Sequence, residues 1–593
     1  MRSRFLKPEE LVFGVRPVSG FSISRDGESV AYSQTVEEDS RILILEIDKR
    51  RTTELSSGTG SSSLPCWSPQ GSRIAIIRAD DSGNSNLYLM KPNGNDILKL
   101  TEFDDCSFGS IEWSADGQYL AFTSTKEGSL DLYVTRPDST GLSRITSGLG
   151  RAFYPKWSPD GKRLLFFIAT RPAGGKYEMK LVNTDGTGLR TIGPAADRNA
   201  YGYWSPDGSK IAFHSNANGS LQIGILDVVT EEGAWITDDE RDHRCPVWFP
   251  DGNRIAFLTE CNGNTRISIV DILTQKTGNM GPEAGLCHNL KVTQNGRRIF
   301  FIHEGPGNPA SLYSQEIDGE MAQLTETLPT SLSKDEFIFP EEASYTSSDG
   351  LQIPALLYRP QQGNPDGLPP AVIRLHGGPN FQTYNCWQPA IQLLVNRGYL
   401  VLAPQFRGST GYGKEFEQLS KGDWGGGDLL DVISAADWLV ATEQADPDRI
   451  AILGGSYGGY LALMAMAKAP DRWAVGIDLF GFVDLKTFHE NASDWMREWI
   501  EKQIGSPEQN PTFYRERSPI NHCDNIETPI LMLHGENDAR IPLAQANQLR
   551  DRMIKRGKEC YLKIYKAEDH FFGSRETQVD VMQTITDFLE ERL

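Results

Sequence analysis

Ser456 stands among glycines, in Gly454-Gly455-Ser456-Tyr457-Gly458-Gly459, with the apolar run Ile450-Ala451-Ile452-Leu453 before it and Leu461 to Ala467 after it. The first run reads as a buried strand and the second as a helix stopped at Pro470. The serine therefore occupies a sharp strand-to-helix turn, where glycines allow positive φ and leave room for close approach. A serine hydroxyl hardly ionises at neutral pH, so its use as a nucleophile requires a base. That base is expected to be a histidine oriented by a buried carboxylate. Two later loops each follow a strand-like run and carry these groups: Gly535-Glu536-Asn537-Asp538-Ala539-Arg540, and Ala567-Glu568-Asp569-His570. The order Ser, Asp, His is the one that accompanies a nucleophile on a strand-to-helix turn. The expected triad is Ser456 as nucleophile, His570 as base and Asp538 as orienting carboxylate. Glu536 and Asp569 compete for the carboxylate role, although Asp569 adjoins His570 in sequence and adjacent side chains rarely orient one another. His534 lies inside a strand run and His376 in a glycine-rich turn, and both read as structural. Such a triad transfers acyl groups through a covalent intermediate and needs no cofactor.

These residues need a scaffold that brings three loops to one face. From about Phe337 strands alternate with longer helical patterns, which argues for a mostly parallel sheet. The strand-like runs are 352–358, 371–375, 398–403, 449–453, 529–534 and 560–565. Leu429 to Glu443 reads as a helix with Leu430, Ile433, Ala436, Trp438 and Leu439 on its apolar side. A last helix is expected from about Thr577 to Leu589. This alternation, with the G-x-S-x-G turn, predicts an α/β-hydrolase domain. A tetrahedral oxyanion needs two donors. The N–H of Tyr457, next to the serine, is one. The loop Leu375-His376-Gly377-Gly378-Pro379-Asn380, after an early strand, is placed to give the other.

The first half of the chain is a repeat. An aromatic residue, Ser or Thr, and then Asp-Gly or a relative recur before an apolar run, as in Trp113-Ser114-Ala115-Asp116-Gly117 and Trp157-Ser158-Pro159-Asp160-Gly161. The glycines at 27, 71, 117, 161, 208, 252 and 296 are separated by 44, 46, 44, 47, 44 and 44 residues. Asp-Gly between two strand-like runs is a tight hairpin, and each unit holds about four strands. One unit cannot bury both faces, but a ring of units can. The expectation is a seven-bladed β-propeller over 20–328, with the tryptophans packing blade on blade. The acidic turns Asp80-Asp81-Ser82-Gly83-Asn84 and Asn262-Gly263-Asn264 lack the closing Glu of a calcium loop and read as hairpin tips. No histidine pattern suggests a metal site. The domain plan is then 1–19 as an N-terminal segment, 20–328 as propeller, 329–340 as linker and 341–593 as hydrolase.

Composition sets the class. The chain has 593 residues, net charge −20, and 39% hydrophobic and 23% charged residues. That is a globular composition in more than one domain. The acidic balance argues against nucleic acid and anionic membrane as partners. No run of 18 apolar residues and no signal peptide are seen, and eight dispersed cysteines fit free thiols in a reducing cytoplasm. A homo-oligomer is left open.

The second half resembles the prolyl oligopeptidase family of serine peptidases, in particular its acylaminoacyl-peptidase branch. The matching residues are His376-Gly377-Gly378-Pro379, Arg407-Gly408-Ser409-Thr410-Gly411-Tyr412-Gly413, Gly454 to Tyr460, Asn537-Asp538-Ala539-Arg540 and Asp569-His570. The propeller in front fits the family too. The resemblance implies that Gly378 and Tyr457 form the oxyanion hole and that Arg540 binds a substrate carbonyl. It implies an acyl-side pocket within 482–500, where Phe488, Trp495, Met496 and Trp499 are available, an N-terminal segment packed on the hydrolase, and a propeller that restricts substrates to short peptides. The paired glutamates by which dipeptidyl peptidases hold a free amino terminus have no clear match. The expected activity is peptide hydrolysis of the acylaminoacyl-peptidase or oligopeptidase type. An esterase, an amidase, a peptide-cyclising acyl transferase and a dipeptidyl peptidase share the same chemistry. A propeller scaffold with an inactive hydrolase is the rival outside it.

Overall fold

A computed structural model describes residues 5–55, 60–80, 82–170, 176–196, 199–361 and 367–593. The start of the N-terminal segment, Met1 to Arg4, and Asp81 of the acidic turn lie outside these. The chain forms two compact units, 15–329 and 330–593, the second also including the first fourteen residues.

The first unit is a seven-bladed β-propeller of four-stranded antiparallel sheets spanning 18–54, 62–99, 108–144, 151–192, 199–235, 243–280 and 286–323. Each blade is built from four consecutive strands. The first strands of successive blades contact one another and so line the axis. The repeat explains the turns. In Ser114-Ala115-Asp116-Gly117 the Ser114 hydroxyl donates to Asp116 Oδ1 at 2.6 Å, and that oxygen also accepts the Gln118 N–H at 3.0 Å. Ser158 with Asp160 and Ser205 with Asp207 repeat the bond at 2.6 Å. The glycine takes φ of +69° at Gly117 and +71° at Gly208, a region costly for other residues.

The tryptophans tie the ring. Trp113, Trp157, Trp204 and Trp248 each donate Nε1–H to a carbonyl oxygen of the preceding blade's first strand, those of Cys66, Glu112, Lys156 and Tyr203, at 3.0–3.2 Å. A buried ring thus fills the gap between blades while its one polar atom stays satisfied. Blades one and seven share an apolar cluster that includes Val18, Phe21, Phe300 and Leu312. The turn at Asp80 is a hairpin tip in which Asp80 Oδ1 accepts the N–H groups of Ser82 and Asn84.

The boundaries differ by a few residues from the sequence reading. Val18 opens the first blade and the Arg16 N–H donates to Thr327 O at 2.8 Å, so 15–19 belong to the propeller unit. The helix Pro8–Val12 packs instead on the helices Pro389–Asn396 and Arg575–Glu590, with Leu6 N–H donating to Asn396 Oδ1 at 2.7 Å. The segment read as linker is fastened as well: Ile338 N–H donates to Gln392 Oε1, and Phe337 meets Trp387 edge-on.

The second unit is an α/β-hydrolase domain around one eight-stranded sheet. Its strands run in the order Glu341–Thr346, Gln352–Tyr358, Leu400–Pro404, Ala371–Leu375, Ile450–Gly455, Val475–Leu479, Ile530–Gly535 and Cys560–Tyr565. The last six are mutually parallel. The helix Gly427–Ala441 buries a face that shares Ala436 and Leu439 with the expected one but is rotated from it. Leu429, Val432, Ala435, Ala436 and Leu439 are buried, while Leu430 is exposed and Ile433 and Trp438 are only half-buried. The buried face also carries Asp428 and Asp431. Asp431 is gripped by the Arg407 guanidinium at 2.7 and 3.0 Å, so a polar position with its partner can face the core. The eight cysteines are unpaired. Among the described residues no helix is long and apolar enough to cross a membrane.

Candidate active site

Ser456 connects the strand Ile450–Gly455 to the helix Tyr457–Lys468. Its backbone sits at φ +56° and ψ −120°, an unfavourable region for a residue with a Cβ. The turn holds because its surroundings over-determine it. Ser456 N–H donates to Leu479 O at 2.8 Å, and Tyr460 N–H donates to Ser456 O at 3.0 Å. A Cβ on Gly458 would lie 2.6 Å from the backbone oxygens of Leu375 and His376, so only glycine lets the 375–380 loop come so close. Phe480, whose ring packs on that of His570, and Ala567, three residues before His570, also carry positive φ.

The three sequence-predicted residues meet. His570 Nε2 lies 3.1 Å from Ser456 Oγ, and His570 Nδ1 lies 2.7 Å from Asp538 Oδ2. Asp538 is buried, and its Oδ1 accepts the N–H groups of Arg540 and Ile541 at 2.9 Å each. These donors fix which oxygen faces the imidazole. The close approach of the two loops needs Gly535, whose Cβ would meet the backbone oxygens of Glu568 and Asp569. Asn537 N–H donates across to Glu568 O at 2.9 Å. Of the competing carboxylates, Asp569 Oδ1 accepts the Phe571 N–H, and Glu536 is exposed. An imidazole held between a hydroxyl and a buried carboxylate can take the hydroxyl proton and keep the resulting charge stabilised.

His376 is buried, stacks on Phe406 at 4.1 Å and bonds Ser409 Oγ at 2.9 Å. Burial pulls its ring down to about 4, so it is neutral at pH 7. The loop it anchors lies against the serine: a Cβ on Gly377 would sit 3.4 Å from Ser456 Cβ. Gly378 follows at φ +127°, and its N–H has no protein acceptor among the described residues. Tyr457 is the first helical residue, so its N–H belongs to the unsatisfied, positively polarised end of the helix.

Arg540 is exposed, and its guanidinium lies 4.8 Å from the centre of the Phe571 ring, itself 4.9 Å from the His570 ring. The four pocket candidates sit on the helices Leu485–Asn491 and Asp494–Ile504. Phe488 and Met496 are buried, and Phe488 stacks on Phe482 at 4.8 Å. Trp495 and Trp499 keep accessible surface while packing on the same core. Trp499 lies 5.2 Å from Trp424, and Trp424 lies 5.2 Å from Tyr457.

Sequence reasoning missed several supports. Asp428 accepts the Tyr457 hydroxyl, and burial pushes its carboxyl up to about 7. Asp478, buried beneath the elbow helix, is pushed up to about 7 for the same reason. His534, read from the sequence as structural, is buried with Nε2 3.5 Å from Asp538 Oδ2 and 2.9 Å from Ile541 O. Phe480 flanks the imidazole at 4.7 Å. Glu568 braces the histidine loop by accepting from Gly573 N–H and the Ser574 hydroxyl. For Asp428 the only signal is an aspartate one turn before another in a mostly apolar helix.

Comparison with known proteins agrees with the layout. The prolyl oligopeptidase family model matches residues 387–593, and the TolB beta propeller domain model matches 7–194 and 163–332. The uncharacterized peptidase YuxL of Bacillus subtilis is 30% identical over 92% of this chain and 92% of its own. Dipeptidyl aminopeptidase BIII of Pseudoxanthomonas mexicana is 33% identical over 38% of this chain, but over only 34% of its own length. The crystal structure of a puromycin hydrolase superposes with a TM-score of 0.86 at 19% identity, covering 99% of this chain and 96% of that one, a likeness of fold. With a propeller and an α/β-hydrolase sheet in one chain, and a peptidase relative aligned along nearly all of it, this protein belongs to the prolyl oligopeptidase family of serine peptidases.

Proposed function

We propose that the protein hydrolyses short peptides at Ser456, with His570 as base and Asp538 as its orienting carboxylate. The observation that carries this is the continuous chain from Ser456 Oγ through both ring nitrogens of His570 to the buried Asp538. His570 takes the serine proton as Oγ attacks the scissile carbonyl carbon. The Tyr457 and Gly378 N–H groups receive the oxyanion. The imidazolium then returns the proton to the leaving amine as the C–N bond breaks. Water, deprotonated by the same imidazole, opens the acyl-enzyme and regenerates the serine.

Arg540 binds a carbonyl of the substrate, a role supported by its exposure beside the histidine loop. The acyl side chain is received by the aromatic group of Trp495 and Trp499, which keep accessible surface, backed by the buried Phe488 and Met496. An apolar pocket of this kind favours Phe, Leu or Ala before the cleaved bond over Asp or Lys. The propeller limits substrates to peptides of about thirty residues or fewer, by the general logic of gated sites.

The favoured type is acylaminoacyl-peptidase or oligopeptidase, since no pair of glutamates was matched that would hold a free amine. The second reading is a dipeptidyl peptidase, favoured by the 33% identity of the hydrolase region to dipeptidyl aminopeptidase BIII. Parallel assays on acetylated peptides, the same peptides with free amines, and casein separate these readings. Cleavage of acetylated peptides with casein left intact is expected. Release of N-terminal dipeptides from free peptides alone moves the protein to the second reading, and rapid casein digestion removes the size limit.

A further inference from the structure

Each inner strand of the propeller puts one residue at a common level of the axis, the position just before the blade tryptophan or, in blades one and seven, before Ile23 and Val292. Register fixes it: Ser22, Cys66, Glu112, Lys156, Tyr203, Val247 and Lys291 pair with Ala31, Ala75, Ala121, Leu165, Ala212, Ala256 and Phe300 of the adjoining strands. The tryptophan-to-carbonyl bonds hold four of these residues at fixed height.

The charges on this girdle do not cancel. Lys156 Nζ pairs with Glu112 Oε2 at 2.9 Å and lies 5.1 Å from the Tyr203 ring centre, so that pair is neutral overall. Lys291 Nζ lies 5.3 Å from the centre of the Phe21 ring, with no carboxylate at ion-pair distance among the described residues. Burial pushes the Cys66 thiol up to about 11 and holds the Tyr203 phenol above its ordinary range, so both stay neutral. Lys156 and Glu112 both act electrostatically on Lys291, although the three come from blades four, three and seven. They therefore converge. Both lysines are surrounded by protein yet keep accessible surface, as side chains lining a narrow channel do. An enclosed ammonium with no carboxylate paired to it is costly, and the cost is relieved when an anion arrives. One uncompensated positive charge beside a fixed glutamate suits a monoanion. A doubly charged phosphate would meet Glu112.

We infer that this girdle, centred on Lys291 and flanked by the Lys156–Glu112 pair, is a carboxylate-binding site inside the propeller that takes the carboxylate of a peptide. Both a chain terminus and an Asp or Glu side chain present this chemistry.

The test is calorimetric titration of the full-length Ser456→Ala protein with three peptides: acetyl-tetra-alanine as free acid, as its amide, and as an amide carrying one internal Asp. The free acid is expected to bind about tenfold or more tighter than the plain amide, the worth of one charge-assisted hydrogen bond. If the Asp peptide matches the free acid, the site accepts any peptide carboxylate; if it matches the plain amide, it reads the chain terminus. Lys291→Met is expected to abolish the advantage, and Arg540→Ala to leave it intact. Lys291→Met removes an unpaired enclosed charge, so its thermal midpoint is expected at or above that of the parent, and Lys291→Gln provides a second variant with the same readout. Equal binding of all three peptides to the parent would overturn the inference. So would an advantage that survives both Lys291 changes, or one that disappears in Arg540→Ala instead.

Discussion

Asp538→Asn separates an orienting carboxylate from a merely buried one. Asp538 Oδ1 accepts two backbone N–H groups at 2.9 Å, while Oδ2 faces His570 Nδ1 at 2.7 Å. An asparagine can keep only one of these arrangements. With its oxygen toward Arg540 and Ile541 it must point NH₂ at His570. The reverse setting places NH₂ against two N–H donors and costs about 1–3 kcal/mol for each donor left unpaired. The first setting prevails, and Nδ1 becomes an acceptor. The ring proton then moves to Nε2, where the imidazole can no longer take the proton of Ser456 at 3.1 Å. The side chain volume and both backbone bonds survive, so folding is preserved. The expected loss is about 10⁴ in kcat, or about 5 kcal/mol of barrier, at neutral pH. The assay is steady-state hydrolysis of an acetylated peptide and of nitrophenyl acetate, with thermal unfolding as control. A variant that keeps more than a tenth of parent activity refutes the reasoning, and so does Glu536→Gln proving the more damaging change.

Arg540→Ala is expected to raise KM for peptides while sparing nitrophenyl acetate, which has no second carbonyl; equal losses on both would make Arg540 a structural residue. Asp428 is buried and held up to about 7, against 3.8 in an unfolded chain. The folded state therefore binds the proton more tightly, and stability falls as pH rises from about 4 to about 7, by up to ~4 kcal/mol from this group. Asp428→Asn should shrink the drop in thermal midpoint between pH 5 and pH 8, leaving the part due to Asp478; an unchanged drop would show that Asp428 is ionised throughout.

The elements that carry the proposed triad were legible because each announces itself locally. The glycines around Ser456 and the apolar runs ahead of Asp538 and His570 leave few alternatives, and the 44-residue spacing of Asp-Gly turns fixes the blade count. The strand Val475–Leu479 was missed because Gly476 and Asp478 interrupt its apolar run, yet all five of its residues are buried. Glu341–Thr346 was missed as an edge strand with mostly exposed side chains. The face of the helix Gly427–Ala441 was misjudged because apolar periodicity ignores a paired aspartate. Asp431 belongs in the core only once Arg407 is known to reach it, and Asp428 only once Tyr457 does. Those partners are 24 and 29 residues away, beyond any local pattern.

The most direct test of the central claim is covalent labelling by a fluorophosphonate followed by peptide mapping, run beside peptide hydrolysis. The account predicts a single adduct on Ser456, loss of both adduct and hydrolysis in Ser456→Ala, and an unchanged fold. An adduct on another residue, or hydrolysis retained at a tenth of the parent rate without Ser456, would contradict it.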